Sequence, residues 1–258
     1  MSAAQDASQI VLRSLEVDRA NTETARNYTF LQREQERLLD GSGRVKSKQS
    51  RTLDVTLLEG SPYRRLVARN DQPLSPAEQK KEEEKLRKSI EDRSHETPEQ
   101  RAQRIADWER RQQRRREPLK ELPAAFDFKL AGQETLDGRE AYVIDATPKP
   151  GYKPKVASAS YLPKIKGRIW IDNHDYHWAK AEMETLDTIS FAGFLLRLSK
   201  GSRLTLEQAR INNEVWLPKR VLLQGSLRLI LIKGLRGDLE ITYHDYKKFQ
   251  VDSRVVTP

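Results

Sequence analysis

Ile165-Lys166-Gly167-Arg168-Ile169-Trp170-Ile171-Asp172 is the stretch whose reading decides the fold. Ile165, Ile169 and Ile171 fall on one side of a two-residue period and Lys166, Arg168 and Asp172 on the other, the pattern of a half-buried strand. Asp172-Asn173-His174-Asp175 is turn chemistry, since short polar side chains tolerate tight backbone geometry. Trp178 to Leu186 reads as the returning strand, with Ala179, Ala181 and Met183 on one side. Arg203 to Ile211, Val215 to Gln224, Ser226 to Ile232 and Leu239 to Phe249 repeat the pattern, separated by Asn212-Asn213, Gly225 and Gly234-Leu235-Arg236-Gly237. Consecutive strands with such short links form an antiparallel sheet.

Upstream, Ala7, Val11 and Leu15 stand four apart with Ile10 and Leu12 beside them, which predicts a short amphipathic helix. Asn27 to Leu39, Val45 to Leu58 and Tyr63 to Arg69 read as three more strands, broken at Gly41-Ser42-Gly43 and Gly60-Ser61-Pro62. The composition changes at Pro73. Ser75-Pro76-Ala77-Glu78 sets a capping Ser, a Pro in the first helical turn and a Glu able to bond back to the cap, and Thr97-Pro98-Glu99-Gln100 repeats the arrangement. Two helices, Pro76 to Arg93 and Pro98 to Arg116, are therefore expected as a hairpin. Their thin apolar stripe, Leu86 and Ile90 against Ile105 and Trp108, could zip them together but offers little to anchor them on a core. The pair reads as a charged insertion projecting from the sheet. After Pro118, Phe126, Phe128 and Leu130 alternate, Asp137-Gly138 signals a hairpin, and Ala141 to Ala146 returns. Pro148 to Pro163 reads as a long surface loop.

A chain of 258 residues, 36% hydrophobic, can bury a substantial core. The net charge of +9 favours an anionic partner, yet both signs are interspersed and no single basic arm carries the surplus. The sequence contains no cysteine, which excludes disulfides, thiolate metal sites, a cysteine nucleophile and acylation of an N-terminal Cys within it. No apolar run approaches the roughly 20 residues that span a bilayer, and no signal-type apolar segment precedes Ser2-Ala3-Ala4. The chain is then either cytosolic or a mature form with a start Met in place of a removed signal peptide.

Asp172, His174, Asp175 and His177 have metal-ligand residue types, but they occupy a turn, where solvated side chains are the plainer reading, and no metal is assigned. No nucleophile elbow, phosphate-binding loop or dinucleotide fingerprint is present: Gly41/Gly43 and Gly234/Gly237 lack the strand-to-helix context those motifs need. No catalytic residue and no cofactor is assigned, and the expectation is a protein that is not an enzyme. Arg110, Arg111, Arg114, Arg115 and Arg116 form the sharpest charge run. It is either a solvated helix face or a contact for an acidic partner or an anionic membrane surface. The basic platform studded with aromatics that single-stranded nucleic acid needs is not apparent, so nucleic acid is not expected as a partner.

The order of Tyr28-Thr29-Phe30, Gly167 to Asp172, Lys180-Ala181-Glu182, Glu214-Val215-Trp216-Leu217-Pro218-Lys219 and Tyr243-His244-Asp245-Tyr246-Lys247-Lys248-Phe249 resembles the outer-membrane lipoprotein-sorting superfamily of LolA, LolB and related periplasmic proteins. The resemblance covers most of the chain outside Pro73 to Pro118. The charged helical pair departs from the family's carriers, as does the lack of an Arg-Pro-Gly-like segment. The resemblance implies an α+β, mainly β fold: a curved antiparallel sheet, an unclosed half-barrel, with an N-terminal helix as lid and an inserted helical hairpin. The chain would be one LolA-like domain over 1–258 with the insertion at 74–118. The concave face is expected from Ile169, Ile171, Met183, Phe194, Leu196, Leu204, Leu206, Leu229 and Leu231, beneath the helix carrying Val11 and Leu15. That face is either an open cavity or a dry core. The resemblance implies a periplasmic, non-catalytic carrier of lipoprotein acyl chains or another lipid. The alternative is an envelope sensor or interaction scaffold working through the hairpin.

Overall fold

A computed structural model describes residues 6–40, 42–191, 196–229 and 232–249. The chain opens with α1 (Ala7–Ala25), followed by β1 (Tyr28–Leu39), β2 (Val45–Leu58), β3 (Ser61–Arg69) and the short β4 (Gln72–Pro73). Two helices follow, α2 (Pro76–Ser94) and α3 (Pro98–Arg116), then a 3-10 turn and α4 (Leu122–Ala125). The remaining strands are β5 (Phe126–Leu136), β6 (Arg139–Pro148), β7 (Ile165–Asp172), β8 (Trp178–Thr185), β9 (Ile189–Phe191), β10 (Leu196–Leu198), β11 (Arg203–Ile211), β12 (Val215–Leu229) and β13 (Ile232–Lys248).

The strands form one antiparallel sheet in the order β4-β3-β2-β1-β13-β12-β11-β8-β7-β6-β5, with β10 beside the far end of β12 and β9 beside β10. The first long strand pairs with the last, Glu34 opposite Ile241. Two meanders are thereby joined in mid-sheet, while β4 and β5 end at opposite edges and the sheet does not close. The connection from β4 to β5 must consequently cross the whole sheet. It consists of α2 and α3, so these helices are the crossover between the two edges.

Both capping boxes form as the sequence predicts: Ser75 with Glu78 and Thr97 with Gln100. The helices do not project. Along the outer side of β3, Arg69 donates to Glu78, the Leu66 amide to Glu82, and Arg93 to the carbonyls of Leu58 and Ser61. A helix laid against unpaired strand groups covers an edge that would otherwise template aggregation. Both helices lie against the β2–β3 part of the sheet. Ile105 packs against the β2–β3 turn, where Gly60 has φ +82 and an added Cβ would lie 2.8 Å from the Ile105 methyl. Trp108 lies under the guanidinium of Arg26, 5.6 Å from ring centroid to carbon, and Ile90 stays exposed. With so few apolar residues on the pair, polar contacts to the sheet edge and to the end of α1 hold the helices in place.

The N-terminal helix is longer than the apolar spacing suggests, because its second half is held by polar contacts that periodicity does not report. Its first half buries Ala7, Ile10 and Val11 against Ile144, Ile169 and Ile171. Full burial of Ile10 and Val11 stabilises by about 1.5–3 kcal/mol each. A contiguous cluster, including Phe126, Ala146, Leu162 and Ile165, packs Leu15 and the α4 segment onto the same face. On the opposite face Trp170 forms a smaller cluster with Ala141 and Val143.

Candidate functional site

Strand register fixes what lies on the α1 side of the sheet, termed here the inner face. Ile169 opposes Ala181, Ala181 opposes Leu206, Leu206 opposes Val221, and Val221 opposes Ile241. A second row runs Gly167, Met183, Leu204, Leu223, Leu239. Gly167 is required there, since a Cβ would lie 2.7 Å from the Glu182 carbonyl oxygen. Directly opposed residues share a face, so the two rows form a continuous apolar floor over β7, β8, β11, β12 and β13.

The floor changes character along its length. Under α1, Ile169, Ile171 and Ala181 are buried. Beyond it, Met183, Leu204, Leu206, Val221, Leu223, Leu239 and Ile241 are all only half-buried. α1 approaches β5, β7 and β12, and α3 approaches β3.

α1 and α3 are tied together, and α1 to the sheet. Asn21 of α1 makes a two-way bond with the Trp216 backbone, its amide donating to the carbonyl and its carbonyl accepting from the amide, each 2.7 Å. Trp178 donates to Ser14 at 2.9 Å, and Arg13 stacks 3.7 Å above the Tyr176 ring. From α3, Arg116 binds the Asp18 carboxylate and the Thr22 hydroxyl, and Glu109 accepts from Arg26 at 3.0 Å. Burial raises the Asp18 pKa against the opposing pull of Arg116.

Beneath the α1–α3 clasp lies a polar knot. Asp172, fully buried, accepts two bonds from Arg139 at 2.6 and 2.9 Å and the backbone amides of His174 and Asp175. Asp175 takes Arg139, Arg210 and the Trp216 indole, and His177 stacks on Trp216. Burial pushes the His177 pKa down, although Asp18, Asp175 and Asp172 pull it up. The carboxylates of the sequence cluster are thus committed to ion pairs and turn amides. Among the described residues no group of three or more His, Cys, Asp or Glu is placed to hold a metal.

The residues singled out in the sequence divide as follows. Val11, Ile169 and Ile171 meet in one packed cluster, and Leu15 and Met183 pack in part against its neighbour. Leu204 and Leu206 lie on the half-buried floor. Leu196 and Leu229 are backbone partners across β10 and β12. Phe194 and Leu231 fall outside the described residues. The arginine run is split: Arg116 is in the clasp, Arg110 pairs with Asp107 one turn away, and Arg111, Arg114 and Arg115 are exposed. Sequence reasoning missed Val221, Leu223, Leu239 and Ile241. The alternation Leu239, Ile241, Tyr243 carries the signal; in Val221-Leu222-Leu223 apolar residues on both faces hide it.

No protein-family model matches the sequence. No curated protein matches it either. Among solved structures the chain is similar to an outer membrane lipoprotein-sorting protein domain from Vibrio parahaemolyticus, at 12% identity, with 95% of each chain covered and a TM-score of 0.37. It is also similar to the Mycobacterium tuberculosis lipoprotein LppX, at 8% identity over 96% of this chain and 98% of that one, TM-score 0.35. A LolA superfamily protein from Nitrosomonas europaea is similar at 12% identity over 99% of both chains, TM-score 0.32.

Proposed function

We propose that this chain is a non-catalytic, periplasmic binding or carrier protein for an acyl chain, borne by a lipid or an acylated protein. One observation carries the reading: an in-register apolar floor across four strands stays half-buried, while the same floor under α1 is packed dry. Exposed apolar surface of that continuity costs free energy in water unless something apolar covers it. Each acyl methylene buried there contributes about 0.8 kcal/mol without any precise polar constellation. No helix among the described residues is long and apolar enough to cross a membrane.

The test is uptake of N-phenyl-1-naphthylamine, an apolar fluorophore, and its displacement by acyl ligands. The unaltered protein is expected to bind it saturably, and Leu206→Glu to lose uptake while retaining its circular dichroism spectrum. Unchanged uptake by folded Leu206→Glu would remove this floor as the site.

A further inference from the structure

Followed beyond Ile241, the row through Leu206 and Val221 does not continue apolar. It reaches Glu34 of β1, whose carboxylate accepts from Arg51 of β2 at 2.5 Å and Arg64 of β3 at 2.8 Å, with Gln32 donating at 2.6 Å. Glu34 is only 12% exposed, whereas Arg51 and Arg64 are 55% and 49% exposed. One carboxylate cannot neutralise two guanidiniums, each with five N–H donors in a fork shaped for carboxylate or phosphate oxygens. Tyr243, opposite Gln32, sits in the combined field of Arg64, Glu34 and Arg115. Arg115, in the last turn of α3, is exposed, and its charge acts on Tyr243 as that of Arg64 does. Glu36 is next on the same face of β1, and Arg69, opposite Arg51, pairs with Glu78 of α2. Exposed ion pairs contribute only about 0–1 kcal/mol each, so stability does not account for a third arginine.

We propose that the groove selects an anionic amphiphile, its carboxylate or phosphate head held by Arg51, Arg64 and Arg115 and its chain laid on Ile241, Val221 and Leu206. This rests on the groove reading above and adds the class of headgroup to it. The arrangement is directional: charge-assisted bonds at one end orient the ligand, and the floor takes a chain of any sequence of methylenes.

The experiment displaces N-phenyl-1-naphthylamine from the 258-residue chain with dodecanoate, dodecyl phosphate, dodecyl maltoside and dodecyltrimethylammonium, all below their micellar concentrations. The anions are expected to displace at about tenfold lower concentration than the maltoside, the scale of one charge-assisted hydrogen bond. The cationic amphiphile should be the weakest. Preference for dodecanoate over dodecyl phosphate, or the reverse, tells a free carboxylate from a phosphate head. In Arg64→Gln/Arg115→Gln, which keeps a donor for Glu34, the anions should fall to the level of the maltoside with fluorophore uptake unchanged. Equal displacement by neutral and anionic amphiphiles, or an undiminished preference in the variant, overturns the headgroup assignment and leaves the groove standing. Failure of the unaltered protein to take up the fluorophore removes the groove, and this inference with it.

Discussion

The inner face has two halves written in the same alternation of apolar residues, and they end in different states. Ile169, Ile171 and Ile144 are packed under Ile10 and Val11 of α1, each with at most a few per cent of its surface in contact with water. Leu206, Val221 and Ile241, further along the very row that contains Ile169, keep an open side. What separates them is a tertiary placement: α1 packs on the first half, while its later turns bond to β12 through Asn21 and to α3 through Asp18, with Arg26 just past its end bonded to Glu109. A dry core and a binding floor can be the same kind of strand with and without a helix on top.

The most drastic way to break this comparison is to remove the crossover helices. Joining residue 73 directly to 119 deletes α2 and α3, which carry the chain from the β4 edge to the β5 edge. Ten strand spacings of about 4.8 Å separate those edges along the sheet, too far for a direct junction even with curvature. Complete loss of the cooperative melt is expected. Replacing the segment with a flexible linker of equal length should restore a melt, at lower temperature because the β3 edge is bare. A direct junction that melts like the unaltered protein would show that the helices are a dispensable insertion.

Next in size is a matched pair of charge substitutions. Ile171→Glu places a carboxylate in the packed half, and unpaired burial there should cost several kcal/mol, enough to unfold the chain at 25 °C. Leu206→Glu places it on the open half, where water reaches the new group; the melting temperature should drop by a few degrees at most, while fluorophore uptake disappears. A smaller version uses alanine: Ile171→Ala is expected to cost about 2–5 kcal/mol and Leu223→Ala well under half of that. Equal costs at the two positions would mean that both halves are core.

This pairing also shows how far the sequence can be read. Strand alternation at Ile165–Asp172 and the two proline-bearing capping boxes are local properties of a few neighbouring residues, and they were legible. The β1–β13 pairing that puts Glu34 beside Ile241 joins residues some two hundred positions apart. It decides which edges remain, and hence that α2 and α3 form a crossover. No local pattern reports it. The open or dry state of Leu206 and Ile169 is illegible for the same reason. The knot around Asp172 is a mixed case: its turn was plain from Asp172-Asn173-His174-Asp175, but Arg139, Arg210 and Trp216 reach it from other strands.

The smallest expected effect concerns the junction between the halves, where His177 lies against Trp216 beneath the clasp. Burial depresses its pKa below the ordinary 6.5, Arg210 acting in the same direction and Asp18, Asp175 and Asp172 opposing. As pH falls through 6.5 the unfolded chain therefore takes up this proton before the folded one, so the folded state loses stability down to the folded-state pKa. Asp18 has the opposite sign: raised above 3.8, it holds its proton more firmly in the folded state, adding stability that is lost as pH rises through its folded value. The histidine's window opens at the ordinary imidazole value, close to neutrality. Urea midpoints between pH 7.5 and 5.5 should decline for the unaltered protein and decline less for His177→Asn, which has no titrating group there. Release of the fluorophore should quicken over the same interval if the clasp of α1 and α3 retains the ligand, and in His177→Asn it should be nearly constant. A pH slope identical in both proteins would place the acid sensitivity elsewhere and detach the knot from control of the open half.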